Sequence, residues 1–511
     1  MSSKTKITAI LLALILGASA AGCAQAADST VSSAASGTAE STSATGLAPT
    51  DITEFSAQYD ADDTNASWEN TSATAITLNG TSISVSGSGA TANGNTLTIT
   101  AGGTYVLTGS LTGSVVVTAP SQSTVQLVLN GVDITADRNA AIYCTQADKL
   151  IITLAGGTTN TVTDAVSYTY ADSTAEEPDA AIFSKDDMTI NGTGTLSVNA
   201  SFYNGIGTKD DLIIAGGTFN ITAANHGIRG RDSLTILDGN FTVNSVADGL
   251  QSNNDEDAGK GWISLEGGVY NITSGNDAIQ AETALAISGG NYHLISGGGN
   301  KVTPSDASGS YKGIKAGTNI TVSGGTFVFD GADDTVHANG NIAISGGEFT
   351  LSSGDDAVHA DGDLTITGGK IDILTSYEGL EAKTMTIADG VINITATDDG
   401  INIAGGSDTG GEGRFGADKF SASSDRWLKI TGGTITVIAG SDAIDINGSG
   451  EMTGGTVSLT AATLGEGQTI DSDGTFTRTG GNLTESGGTA MGGGRGGMGG
   501  MQPGGRGQAP R

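Results

Sequence analysis

The chain has 511 residues, with 81 glycines, 6 prolines, 55 acidic against 22 basic residues and a net charge of −33. So much glycine with so few aromatics fits many tight turns rather than one large globular core. The charge makes nucleic acid and anionic lipid head groups poor partners, and two cysteines, Cys23 and Cys144, cannot build a disulfide framework.

Lys4 and Lys6 precede an apolar run from Ile7 to Ala18, followed by Ala20-Ala21-Gly22-Cys23. A charged start, a short apolar stretch and small residues before a cut predict a secretory signal over residues 1–22, too short for a stable spanning helix. Small residues leading directly to cysteine resemble the bacterial lipoprotein lipobox, with Ala20 where leucine is commoner. On that reading Cys23 is the lipidated first residue and the mature protein sits on the extracellular face of the cell membrane. The other reading, a cut after an Ala-x-Ala-like site, leaves Cys23 without a role. Residues 23–60, rich in Ser, Thr and Ala, read as a solvated tether.

From residue 61 to 485 the pattern is that of one repeat domain. Strand-like segments such as Val125 to Leu129 and Ile151-Ile-Thr-Leu suggest looser coils back to about Ala75. From Gly194 on, a phrase recurs: apolar, x, apolar, x, Gly-Gly, x, apolar, x, apolar. It reads Ile320-Thr-Val-Ser-Gly-Gly-Thr-Phe-Val-Phe, Ile342-Ala-Ile-Ser-Gly-Gly-Glu-Phe-Thr-Leu and Leu364-Thr-Ile-Thr-Gly-Gly-Lys-Ile-Asp-Ile. The first glycines, 324, 346 and 368, set a period of 22 residues. Strand alternation in such a period predicts an all-β fold, a single-stranded right-handed parallel β-helix with about 22 residues per coil; the handedness is taken by analogy. A calcium-binding nonapeptide array is the runner-up, but its Gly-Gly-x-Gly-x-Asp spacing is absent. Gly-Gly supplies a corner that bulkier residues could enter only at costly positive φ. Longer steps of 29 (238 to 267), 35 (289 to 324) and 43 (389 to 432) place loops at about Ser252–Gly261, Gly297–Ser310 and Gly405–Arg426. About a dozen coils at about 4.8 Å each give a rod roughly 55–60 Å long.

Each later coil ends in an acidic corner: Asn276-Asp277-Ala-Ile-Gln280, Asp333-Asp334-Thr-Val-His337, Asp355-Asp356-Ala-Val-His359, Tyr377-Glu378-Gly-Leu-Glu381, Asp398-Asp399-Gly-Ile-Asn402 and Ser441-Asp442-Ala-Ile-Asp445. Stacking in register makes columns: Asp334, Asp356, Glu378, Asp399 and Asp442; Asp333, Asp355 and Asp398; His337, His359, Glu381, Asn402 and Asp445. Like charges one strand spacing apart repel by roughly 1 kcal/mol per pair in water, and more when buried. Oxygen ligands without thiolates select Ca²⁺, so the candidate metal ligands are Asp277, Asp333, Asp334, Asp355, Asp356, Glu378, Glu381, Asp398, Asp399, Asp442 and Asp445. Solvent-facing turn acids are the alternative. His337 and His359 could join a transition-metal site or simply be ion-paired. Lys312, Lys315 and Arg229 occupy the same corner in earlier coils, either offsetting neighbouring acids or serving as bases of a lyase. Trp262 and Trp427 each follow a loop and start a strand, where an outward ring could stack on a sugar or pack under its own loop. Residues 486–511, rich in Gly, Met and Arg, read as a disordered tail.

The Ser-Gly-Gly-x-Phe coils with Asp-Asp-Ala-Val/Ile-x-Ala corners resemble the calcium-binding carbohydrate-binding domain family of bacterial exported lipoproteins, over about residues 60 to 485. That resemblance implies a right-handed, pectate-lyase-like β-helix that binds polysaccharide without cleaving it, with Ca²⁺ ligands among the acidic columns. Three functions follow: a lipid-anchored, Ca²⁺-dependent binder of acidic or cellulosic polysaccharide; a polysaccharide lyase; or a surface adhesin or spacer stiffened by Ca²⁺. A lyase needs a basic residue as general base beside the ion, which only Lys312, Lys315 and Arg229 could supply.

Overall fold

The computed structural model describes residues 7–8, 58–69, 72–170, 172, 174–257, 259–306, 308–404, 424–463 and 467–488. Cys23, most of the expected signal and tether, the loop over 405–423 and the tail beyond 488 lie outside the described residues. The chain forms strands almost throughout; among the described residues the single helix is Ala61–Thr64, capped by Asp60.

From Ile142 onward most strands pair in parallel with the strand three places further along the chain, so the backbone winds in coils of three strands. Ile320, Ile342 and Leu364 pair in sequence, as do Phe327, Phe349 and Ile371 and, in the third sheet, Val336, Val358 and Leu380. These partners are the residues that the 22-residue phrase stacks. At the N-terminal end the pattern changes: Thr74–Gly80 pairs antiparallel with Ser82–Ser86, and Ala90–Asn93 with Thr96–Ile99. These hairpins fold over the end of the stack, where an open edge would otherwise invite another strand.

Alternation decides what faces inward. In Glu348–Ser353 every second residue is buried, and the same holds for Thr326–Gly331. The interior holds a column of rings, Phe219, Phe241, Tyr270, Tyr292, Phe327 and Phe349, stacked at centroid spacings of 4.8, 5.0, 4.6, 4.8 and 4.4 Å. The buried Tyr270 and Tyr292 hydroxyls each donate 2.7 Å to a glycine carbonyl, Gly267 and Gly289. Gly-Gly meets two separate demands. A Cβ on Gly346 would lie 2.4 Å from the Ser323 carbonyl oxygen of the coil before. Gly347 sits at φ +97°, and a Cβ there would lie 3.2 Å from the Phe349 ring. Cys144 is a core residue whose thiol burial pushes up to about 11, so it is not a reactive group.

Candidate functional site

The short strands after the acidic corner, from Ile228–Gly230 to Ile444–Ile446, form one parallel sheet of the rod. Their middle residues run in the order Arg229, Gln251, Gln280, Lys315, His337, His359, Glu381, Asn402, Asp445 and Asp471, each paired with the next. The spacing of the corner blocks had placed His337 to Asp445 in that column, and Lys315 directly beside His337.

The second residue of each corner does structural work. Asp248 Oδ1 accepts the Asp277 N–H at 3.1 Å, and Asp277 Oδ1 accepts that of Lys312 at 2.7 Å. Asp334 Oδ1 accepts the Asp356 N–H at 2.9 Å, and Asp356 Oδ1 that of Glu378 at 3.2 Å. Asp399 Oδ1 accepts the Asp442 N–H at 2.8 Å. Most of these acids are nearly inaccessible, so they are not turn residues facing solvent. One carboxylate oxygen satisfies the backbone of the following coil and the other is left for a partner.

That partner differs along the ladder. Lys312 Nζ lies 2.7 Å from Asp334 Oδ2 and 3.1 Å from Asp333. His337 Nδ1 also meets Asp334 Oδ2, at 2.9 Å, while its Nε2 meets Asn339 Oδ1 at 3.0 Å. Burial alone would raise the Asp334 carboxyl, but Lys312 and His337 hold it well below the usual range. His359 stacks on His337 with centroids 4.9 Å apart, and its nitrogens meet Asp356 at 3.2 Å, Glu381 at 2.9 Å and Asp361 at 3.1 Å. Both imidazoles are thus ion-paired or hydrogen-bonded at each nitrogen, and Asp334, His337 and His359, like Asp356, His359 and Glu381, also bring ligand atoms within 4.8 Å of one another. Lys312 is a buried counter-ion, Lys315 Nζ meets Ser310 Oγ at 3.1 Å, and Arg229 grips Asp179.

Further along, the donor set changes. Asp399, Asp442 and Asp445 each offer an oxygen within 4.8 Å of the others. Burial pushes the Asp399 carboxyl up to about 7, with Asp398, Asp442 and Asp445 adding to it and the Asp442 N–H opposing. Asn402, completely buried, donates through Nδ2 to Glu378 Oε2 at 2.8 Å on the preceding coil, and its Oδ1 has no hydrogen-bond partner. Asn402 pairs in register with Asp445 of the following coil. Three carboxylates and an unmet carbonyl oxygen suit a hard cation such as Ca²⁺. Asp355 and Asp398 lie half-buried at the outer edge of the same corner.

Trp262 and Trp427 begin the strands Trp262–Leu265 and Trp427–Ile430 after loops, as their spacing implies, and are half-buried. A further acidic group, Asp187, Asp210 and Asp211, escaped the corner pattern. Its signal was the doubled acid in Lys185-Asp186-Asp187 and Lys209-Asp210-Asp211 of two adjacent coils. Burial pushes Asp187 up to about 6 and Asp210 to about 7. The segment between Thr159–Thr163 and Ala180–Ser184 lies upstream of Gly194, where the regular period begins, so the period does not reveal it.

Among known proteins, a carbohydrate-binding domain-containing protein of Acetivibrio thermocellus is 44% identical over 126 residues, 24% of this chain and 44% of that relative. The match therefore spans less than half the relative's length. A solved structure described as the polysaccharide lyase-like protein from C. thermocellum, a gadolinium derivative, aligns at a TM-score of 0.43 and 30% identity, covering 53% of this chain and 96% of its own. The family described as carbohydrate-binding domain-containing protein matches residues 93–357 and 355–481, nearly the whole stack of coils. By that match the chain belongs to the carbohydrate-binding domain-containing protein family.

Proposed function

We propose that this protein is a lipid-anchored, extracellular polysaccharide-binding protein that depends on Ca²⁺ and does not cleave its ligand. The observation that carries the reading is the family match over residues 93–357 and 355–481, which takes in the corner sheet and its flanking loops. The rod is a right-handed parallel β-helix of about 22 residues per coil. Partners 22 residues apart, such as Ile320 and Ile342, support the period, and the general preference of parallel crossovers supports the hand.

Ca²⁺ would be held by Asp399, Asp442 and Asp445 with the Asn402 carbonyl oxygen. Once bound, it would supply the positive charge that lets a polyuronate approach a chain of charge −33. Non-catalytic binding is favoured by the surroundings of one of the candidate bases, Lys312. A lyase base must shed its proton, and Lys312 is held between two carboxylates.

Calorimetric titration with polygalacturonate and soluble neutral glycans, with and without EGTA, tests this. Binding to at least one glycan is expected, with the polygalacturonate response abolished by chelator. Silence across the panel overturns polysaccharide binding, and a chelator-insensitive polygalacturonate response overturns the Ca²⁺ bridge. Unsaturated product from polygalacturonate, lost in Lys315→Ala, overturns the non-catalytic assignment.

A further inference from the structure

Two loops flank the corner sheet in its first coils. Residues 164–179 lead into Ala180–Ser184, and residues 253–261 follow Leu250–Ser252. Between them lies a cleft of about 360 Å³ lined by Glu177, Asp179, Lys209, Arg229, Arg231 and Glu256, among others. The outward column explains why it is there. Gly207 stands between Phe183 and Arg229 in that column and contributes no side chain. Through this notch Arg229 reaches back two coils to Asp179, with Nη2 at 2.9 Å from Oδ1 and 2.7 Å from Oδ2.

The cleft's charges are matched within it. Lys209 meets Glu177 at 2.5 Å and Arg231 meets Glu256 at 2.7 Å. Four lining carboxylates, including Glu176, stand against three cations. Lys185 also meets Glu177 at 3.2 Å, so acids and bases balance around the cleft and its cations are already engaged by carboxylates, which leaves little to attract an anionic sugar. A neutral sugar suits it: hydroxyls both donate and accept, so they can join the remaining lone pairs and N–H groups of these ion pairs.

Beside the cleft is an aromatic patch. Tyr203 occupies the same corner position as Asp179 one coil earlier, and the next N–H, that of Asn204, donates to the Asp179 carbonyl at 3.1 Å. Tyr170 donates to the Pro178 carbonyl at 3.0 Å and lies close enough to Asp179 and Glu176 for their charges to raise its pKa, though burial is the larger cause. Phe202 stacks on Tyr168 at 4.5 Å and neighbours Tyr203 at 6.4 Å. Phe202 and Tyr203 remain 36% and 41% exposed, on the surface of a chain whose interior already has its own ring column. Partly exposed rings next to hydrogen-bonding groups match a pyranose, apolar on its C–H face and polar at its edge.

We propose that this cleft is a subsite for a neutral hexose or pentose unit of a polysaccharide. Phe202 and Tyr203 stack the sugar ring, and the Asp179–Arg229 and Glu177–Lys209 pairs take its hydroxyls. The assignment rests on the polysaccharide-binding reading and separates this subsite from the acidic coils, some 200 residues downstream along the chain (Asp445 against Arg229).

The test is calorimetric titration of the full chain and its Phe202→Ala, Tyr203→Ala and Tyr203→Leu variants with hydroxyethylcellulose, soluble xylan, soluble mannan and, in Ca²⁺, polygalacturonate. At least one neutral glycan should bind, about tenfold more weakly in each variant, with polygalacturonate binding changed less than about twofold. Tyr203→Leu keeps the apolar bulk, so its loss of binding reports the aromatic face rather than the fold. If the wild-type chain binds no polysaccharide at all, the parent reading fails. If it binds only polygalacturonate, or if neutral binding is unchanged in the variants, this subsite fails and the parent reading stands. Equal losses for neutral and acidic glycans overturn the assignment to a neutral sugar.

Discussion

Asp334 carries two obligations at once. Its Oδ1 takes the Asp356 N–H and its Oδ2 takes Lys312 and His337, with no surface left exposed. Removing it by Asp334→Ala takes the nearest carboxylate from a buried ammonium and leaves an unmet N–H one coil on. A loss of about 3–5 kcal/mol is expected in urea denaturation. Asp334→Asn retains a carbonyl oxygen for the Asp356 N–H and should cost clearly less; equal losses would mean that the backbone bond contributes nothing. The columns themselves were legible, because a 22-residue register stacks Asp on Asp without any knowledge of coordinates. Which oxygen faces the backbone was not, since spacing locates residues and says nothing of how a side chain divides its lone pairs. Tyr203 was readable in principle: Tyr203-Asn204-Gly-Ile is a corner block, and carrying the register one coil upstream would have put its ring on the corner face.

At the scale of the element, the Gly-Gly-x-Phe segment links turn geometry to the interior ring column. Phe327 lies between Tyr292 and Phe349 at 4.8 and 4.4 Å, completely buried. Phe327→Ala opens a gap in the column and should cost about 3–5 kcal/mol. In a stack where each coil touches only its neighbours, the damage should also be local. Amide hydrogen exchange should rise in the coils of Tyr292, Phe327 and Phe349 and stay near wild-type around Leu127 and Leu150. A uniform rise along the whole rod would show one cooperative unit instead. Gly347→Ala tests the turn itself: at φ +97° with the Phe349 ring 3.2 Å away, a loss of about 2 kcal/mol is expected. The alternation and the glycine pair announced these strands in the sequence. The hairpins over residues 74–99 did not announce themselves, because antiparallel closure of an end is set by what the first coil lacks, not by any repeat.

Across the whole molecule, the raised carboxyls of the acidic ladder should make stability depend on pH. Burial raises Asp399 to about 7 and Glu378 well above its usual value, with the charges of neighbouring acids adding to both. A carboxyl with a raised folded pKa holds its proton more tightly folded than unfolded. Its stabilising effect is therefore full at pH values below the ordinary carboxylate range and is lost as pH rises through the folded value. His359 adds in the same direction: burial opposes its charge, but Asp356, Asp361 and Glu381 raise its pKa well above 6.5. Its contribution is complete below the ordinary histidine value and fades as pH climbs through the raised one. Protein kept in EGTA should accordingly melt at a lower temperature at pH 8 than at pH 5, by on the order of 5 °C. On the proposed reading Ca²⁺ would compete with those protons for the same oxygens, so it should raise Tm strongly at pH 8 and little at pH 5. Asp445→Asn, which removes one charge from the cluster with Asp399 and Asp442, should shrink the Ca²⁺ shift at pH 8. A melting temperature in EGTA that is flat from pH 5 to pH 8 would mean that these acids find their counter-charge within the chain. The coils from Asp399 onward would then need no cation, and a Ca²⁺ dependence of glycan binding, where titration finds one, would have to arise elsewhere on the rod.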